Sequence, residues 1–180
     1  MRRVLAKVIA LALVCNMLLS YHANALSAGS GSCQQTYSIT GSGVLDVALS
    51  DGYCYLAFKN SGAVNTQTVF TWTRPNAATV VNVLVVGGGG GAGARHGGGG
   101  GAGGFVQQDA YSISAAGTIS VAVGAGGAAS TSLTGTAGQN SYFKYATYGL
   151  VALGGGYGAN ASVAGSGGSG GGAGASQTAG

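Results

Sequence analysis

The sequence predicts a mainly β protein whose short strands lead into glycine-rich polyglycine II helices, with no α-helix after the signal peptide. Three observations predict it. Beyond position 25, apolar residues recur with the period of two that suits half-buried strands, and nowhere with the i, i+3, i+4 spacing of a helix. All 38 glycines fall after that position, whereas Pro75 is the sole proline. Apolar, strand-like runs also flank the glycine blocks, which sets the chain apart from sequences depleted in β-branched and aromatic residues that stay disordered.

Residues 1–25 have the three parts of a signal peptide. Arg2, Arg3 and Lys7 form a basic start, 8–20 is apolar except for Asn16, and Ala23 and Ala25 are the small residues before a cut. The apolar part is shorter than the ~20 residues of a membrane span, so no span is expected after cleavage. The working chain is expected to be secreted or held at the cell surface, periplasm included. Cleavage removes three of the seven basic residues and leaves Lys59, Arg74, Arg95 and Lys144 against Asp46, Asp51 and Asp109, a net charge of +1. Four scattered cations do not form the basic patch that displaces counterions from phosphates, which excludes nucleic acid as a partner.

Residues 26–68 read as a small N-terminal β segment followed by a linker. Strands are expected at 37–40, 44–49 and 53–58, punctuated by Gly41, Gly43 and the Asp51-Gly52 pair. Cys33 and Cys54 are the cysteines left after cleavage, and an even pair in an exported chain favours a disulfide. Closing a loop of about twenty residues stabilises by ~3 kcal/mol on the chain-entropy view. Two free thiols or an intermolecular bridge are the alternatives. With His96 the only histidine left, a four-ligand zinc site is excluded. Residues 59–68 read as linker or long loop.

Residues 69–180 read as a glycine-rich domain. Strands are expected at 69–73, where Phe70 and Trp72 share a face, and at 80–86, apolar on both faces except at Asn82 and so expected to be covered on both. Further strands are expected from Phe105, at 118–124, at 142–143 and at 150–153. The block 87–104 is either a solvated linker or a set of packed three-residue-per-turn helices. The flanking strands favour packing, so Val in place of Gly89 or Gly99 is expected to destabilise. The chain stops in glycine-rich sequence without a closing strand, as a truncated domain would.

Chemistry is poorly supplied. Gly88, Gly90 and Gly93 fit the dinucleotide pattern with Asp109 some twenty residues on, but glycine follows where a helix is required. His96 is the one candidate general base, and nothing marks a serine to go with it. No catalytic residue, metal site or cofactor is expected. Arg95 and His96 read as a polar tip between glycine runs, and Tyr157 as an aromatic handle inside one. These three are the candidate ligand-binding residues, for a surface glycan or an envelope protein. Asn160-Ala161-Ser162 is a glycosylation sequon by pattern alone.

From Phe70-Thr-Trp-Thr-Arg-Pro through Val83-Leu-Val-Val and its glycines, Gly97 to Phe105, Thr118-Ile-Ser-Val-Ala-Val, Asn140-Ser-Tyr-Phe and Leu150-Val-Ala-Leu, the order of blocks resembles the glycine-rich domain of bacterial surface proteins and phage tail-tip adhesins. The resemblance implies strands leading into a sandwich of polyglycine helices whose connecting loops bind, with no catalytic residues. The signal peptide departs from the phage pattern, and the block from Gly154 is interrupted by Tyr157, Asn160 and Val163. The expected function is a non-enzymatic surface recognition module. The alternatives are a passive envelope or extracellular structural protein, or the leading part of a longer exported enzyme.

Overall fold

The computed structural model describes residues 38–174, apart from 42, 51–52, 75–78, 114–116, 145–148 and 161–162. The signal peptide and Cys33 therefore lie outside the described residues, as does the Asp51-Gly52 turn. Within them are nine strands and no helix: β1 (Ser38–Gly41), β2 (Val44–Ser50), β3 (Tyr53–Lys59), β4 (Thr68–Thr73), β5 (Val80–Val86), β6 (Phe105–Ser112), β7 (Thr118–Val123), β8 (Ser141–Phe143) and β9 (Leu150–Ala152). Each falls within a residue or two of an expected strand, except that β6 runs on to Ser112.

Five strands make an antiparallel sheet in the order β1-β4-β7-β8-β9, and β2–β3 and β5–β6 are separate two-stranded ribbons. The alternation at β4 explains the layering. Thr68, Phe70 and Trp72 are buried while Val69, Thr71 and Thr73 are exposed, so the sheet has one covered face. Phe70 lies opposite Val121, and Val121 opposite Phe143, which puts the three side chains on that face. The ribbons cover it. Phe58 of β3 meets Phe70 edge-on at 5.2 Å between ring centroids, and Tyr111 of β6 meets Phe143 at 5.5 Å. Val83 and Val85 of β5 complete the core with Ile113, Ile119 and Ala152. Burying each such aliphatic or aromatic side chain contributes about 1.5–3 kcal/mol. The Trp72 indole N–H is buried without a partner.

β5 departs from expectation. Its Val83 and Val85 are buried, but Val80, Leu84 and Val86 are more than half exposed, as is Phe105 opposite Val86. A two-stranded ribbon laid on the outside of a sheet has one inner face only, so a run apolar on both sides does not ensure cover on both.

The glycine runs continue the strands. Val86 lies opposite Phe105, and beyond them the same register joins 87–94 to 98–104 through Gly87 N to Gly104 O, Gly90 N to Gly101 O and Gly93 N to Gly98 O, at 2.8–2.9 Å. The β7–β8 register runs on through Gln139 N to Ala125 O and Thr136 N to Ala128 O. That of β8–β9 runs on through Gly138 N to Gly155 O and Gly135 N to Gly158 O. Bonding residues now recur every third position instead of every second. On the run 87–94, residues 87, 90 and 93 donate to 98–104, while Gly88, Gly91 and Ala94 donate to Gln139, Thr136 and Leu133. The carbonyls of Gly88 and Gly91 accept from Gly155 and Gly158, and those of Gly89 and Ala92 from Gly127 and Ser130. One run thus bonds to four others.

This threefold recurrence decides where glycine is required. A Cβ on Gly88 or Gly91 would overlap the carbonyls of Ala125 or Ala128, and one on Gly90 the carbonyl of Gly156. Gly89 would meet its nearest atom at an ordinary 3.6 Å, and Gly99 has nothing within 4 Å. Gly89 and Gly99, where Val was expected to destabilise, are therefore open to a Cβ. Glycine carries no side chain to reveal its phase, but the alanines do: Ala92, Ala102 and Ala129 each stand three residues after an open glycine, Gly89, Gly99 and Gly126.

Residues 59–68, expected as linker or loop, are fastened to this bundle. Asn65 donates its amide to Gly126 O, accepts from Gln139 Nε2 on its carbonyl, and accepts from Thr136 Oγ1 on its side chain, at 2.9–3.1 Å. Its φ of 56° is the left-handed conformation that Asn tolerates better than most residues. The block from Gly154 is also packed. Run 153–159 bonds to 98–104, and 165–172 folds back on it through Gly165 N to Tyr157 O, Gly168 N to Gly154 O and Ala159 N to Gly172 O.

Candidate functional site

Each glycine hairpin leaves the strands and turns back at a loop, and three of these loops meet. The first turns through Arg95 and His96, closed by Gly97 N to Ala94 O at 2.8 Å. The second turns at 131–133, where Ser130 Oγ accepts from the amides of Ser132 and Leu133 and so holds the loop shape. The third is marked by Asn160, where the run 153–159 ends. The Leu133 carbonyl joins them, accepting from Ala94 N at 3.1 Å and Asn160 N at 3.2 Å. Gly174 comes up beside them, its amide bonded to Ala159 O at 2.7 Å.

Arg95 has a φ of 51°. A left-handed Cβ-bearing residue costs of order 1 kcal/mol, and glycine meets the same geometry without that cost. In a chain with 38 glycines, an arginine at this position places a guanidinium where glycine would be the easier choice. Arg95 and His96 are both exposed. Leu133 and Val163, which the sequence marks for no role in binding, are exposed by 61% and 86%. Their one signal in the sequence is an isolated aliphatic in otherwise small and polar surroundings, Thr131-Ser-Leu-Thr134 and Ser162-Val-Ala164.

Tyr157 is placed differently. It lies three residues inward from Asn160 and is half-buried, and a Cβ on Gly165 would run into its ring at 2.5–2.7 Å. The ring therefore covers Gly165 on the shaft of the bundle, while Arg95 and His96 stand on its end. Asp109 lies on β6, beyond the strand end of the run 97–104, and His96 beyond its loop end. The dinucleotide reading of Gly88, Gly90 and Gly93 also lacks its geometry, because β5 runs into a glycine hairpin and pairs antiparallel with the strand that carries Asp109. Cys54 is exposed on β3, and its pairing with Cys33 stands on the sequence argument.

Strands that extend into hydrogen-bonded glycine runs ending in clustered loops define a glycine-rich structural class. The family model of the glycine-rich domain matches residues 64–180, and the chain belongs to that family. No curated protein and no solved structure matches it.

Proposed function

We propose that this protein is an exported, non-enzymatic, adhesin-like recognition module in which a sandwich of polyglycine II helices presents a binding end. The threefold recurrence of bonding residues supports the helices, since polyglycine II has three residues per turn. At about 3.1 Å per residue, an eight-residue run carries its loop roughly 25 Å beyond the strands. The glycines offer rigidity and no selectivity, so recognition falls to Arg95, His96 and Leu133. The observation that carries the reading is the Leu133 carbonyl tying three loops into one platform. Loops held in this way lose less entropy on binding.

The test applies labelled mature protein to panels of intact cells, surface glycans and envelope proteins. Arg95→Ala with His96→Ala should weaken binding at least about tenfold while leaving the melting temperature nearly unchanged. Tyr157→Ala should instead lower the melting temperature, because its ring packs on Gly165. Binding that survives the double change puts the site elsewhere, and no binding on any panel leaves a passive structural protein.

A further inference from the structure

Antiparallel strands bond to a given neighbour at every second residue, whereas the glycine runs do so at every third. Where the count changes, an amide comes round out of phase with the carbonyls beside it, and a buried N–H left without an acceptor is costly. Beyond β7 and β9, the side chains of one tripeptide, Gln139-Asn140-Ser141, meet this changeover. Ser141 Oγ accepts from Gly124 N at 2.9 Å, and Asn140 Oδ1 accepts from Gly154 N at 2.8 Å. Gln139 holds both main-chain groups of Ala125: its Oε1 accepts from Ala125 N at 3.3 Å, and its own amide donates to Ala125 O at 3.0 Å. Gly124 and Ser141 are both buried, so water does not stand in for that bond. A Cβ on Gly124 would overlap the Gln139 carbonyl, and one on Gly154 the Gly138 carbonyl, so neither glycine has room to carry an acceptor of its own. The tripeptide is braced in turn. Gln67 Nε2 donates to Asn140 O at 2.9 Å, Asn140 Nδ2 to the Tyr142 hydroxyl at 3.2 Å, and Asn60 Nδ2 to Val123 O, the last carbonyl of β7, at 3.1 Å. Short side-chain oxygens satisfy stray amides at helix N-termini in the same way.

We propose that Gln139-Asn140-Ser141 is a coupling cap, which joins strand bonding to glycine-run bonding and makes the bundle open together with the strand core. Asn140 and Ser141 begin the block Asn140-Ser-Tyr-Phe, to which the family resemblance attaches no role. The Asn140 bond has the wider reach. Gly154 leads the run 153–159, which bonds to 88–91, 98–104, 135–138 and 165–172, so loosening its first turn is felt across the bundle. The β5–β6 hairpin crosses the same junction with a main-chain bond, Gly87 N to Gly104 O at 2.9 Å, and uses no such cap there. The cap acts on the fold and is independent of any ligand at the loop end.

The experiment is native-state amide exchange of the mature protein over a denaturant series below the melting transition. In wild type, the amides of Gly91, Gly101 and Gly158 should share one opening with those of β4 and β7. Asn140→Ala should speed exchange at Gly154 at least about tenfold and let the bundle amides open at lower denaturant than the strand amides. Asn140→Asp keeps the acceptor oxygen and should restore both properties. Ser141→Ala should act in the same way through Gly124. Phe143→Leu, a core change on the same strand, should instead lower the two sets together. Where Ser141→Ala does not fold, the Asn140 pair decides alone. Bundle and strand amides that still open together in Asn140→Ala overturn the proposal, as does unchanged exchange at Gly154 or failure of Asn140→Asp to restore it.

Discussion

Replacing Gly90 by Ala adds one methyl group at a point where the fold has no room for it. The new Cβ would overlap the Gly156 carbonyl oxygen and come within 2.7 Å of its carbon and 3.0 Å of Gly155 O. These atoms are backbone and cannot rotate away. Gly156 O already accepts from Gly101 N at 2.8 Å, and Gly101 O from Gly90 N at 2.8 Å, so relief requires run 153–159 to move off both neighbours. Overpacking costs about 1–3 kcal/mol, and disturbing two buried main-chain bonds adds about 1 kcal/mol each. The expected loss is therefore about 3–5 kcal/mol, a melting point lower by roughly 10–20 °C. Gly89→Ala, one residue earlier, meets only a 3.6 Å contact and occupies the same face as Ala92. It should be neutral, or stabilise by up to about 1 kcal/mol through the unfolded chain. Denaturant melts of the two variants decide the matter. Equal losses at 89 and 90 would refute the threefold packing, and equal tolerance would make the block a linker.

On β5, Val85→Ala should cost about 1–3 kcal/mol and Leu84→Ala less than about 0.5 kcal/mol in the same melts, because Val85 faces the core and Leu84 faces solvent. Asn65→Ala should destabilise by about 1–3 kcal/mol, since it loses the Thr136 bond and keeps a φ of 56° without the side chain that tolerates it. Asn65→Gly should recover the backbone part of that loss. Thiol labelling of unfolded, unreduced mature protein should find Cys33 and Cys54 blocked, and non-reducing peptide mapping should join them. Two reactive thiols would end the disulfide expectation.

Much of the strand framework was legible because strands announce themselves by side-chain alternation. Phe70 and Trp72 against Thr71 and Thr73 fixed both the element and its buried face. Pairing was less visible: β1 joins β4 across the β2–β3 ribbon, a choice made by long-range packing on Phe70 and Trp72. The exposed side of β5 was hidden because valine and leucine look alike on either face of a ribbon. Arg95 and His96 stood out as the charged interruption in a glycine block. Leu133 did not, because its place is set by carbonyl contacts to Ala94 and Asn160, dozens of residues away in sequence. Tyr157 was conspicuous by composition, yet the fold uses its ring as cover for Gly165.

The most direct measurement of whether the glycine runs are a folded, load-carrying bundle is residue-resolved amide exchange in the mature protein. Gly88, Gly90, Gly91, Gly101, Gly155 and Gly158 all donate within the bundle, so their amides should exchange orders of magnitude more slowly than those of an unstructured glycine peptide, and lose protection together with the β4–β7 core. Exchange of these six amides at unstructured-peptide rates while the strand amides stay protected would contradict the account.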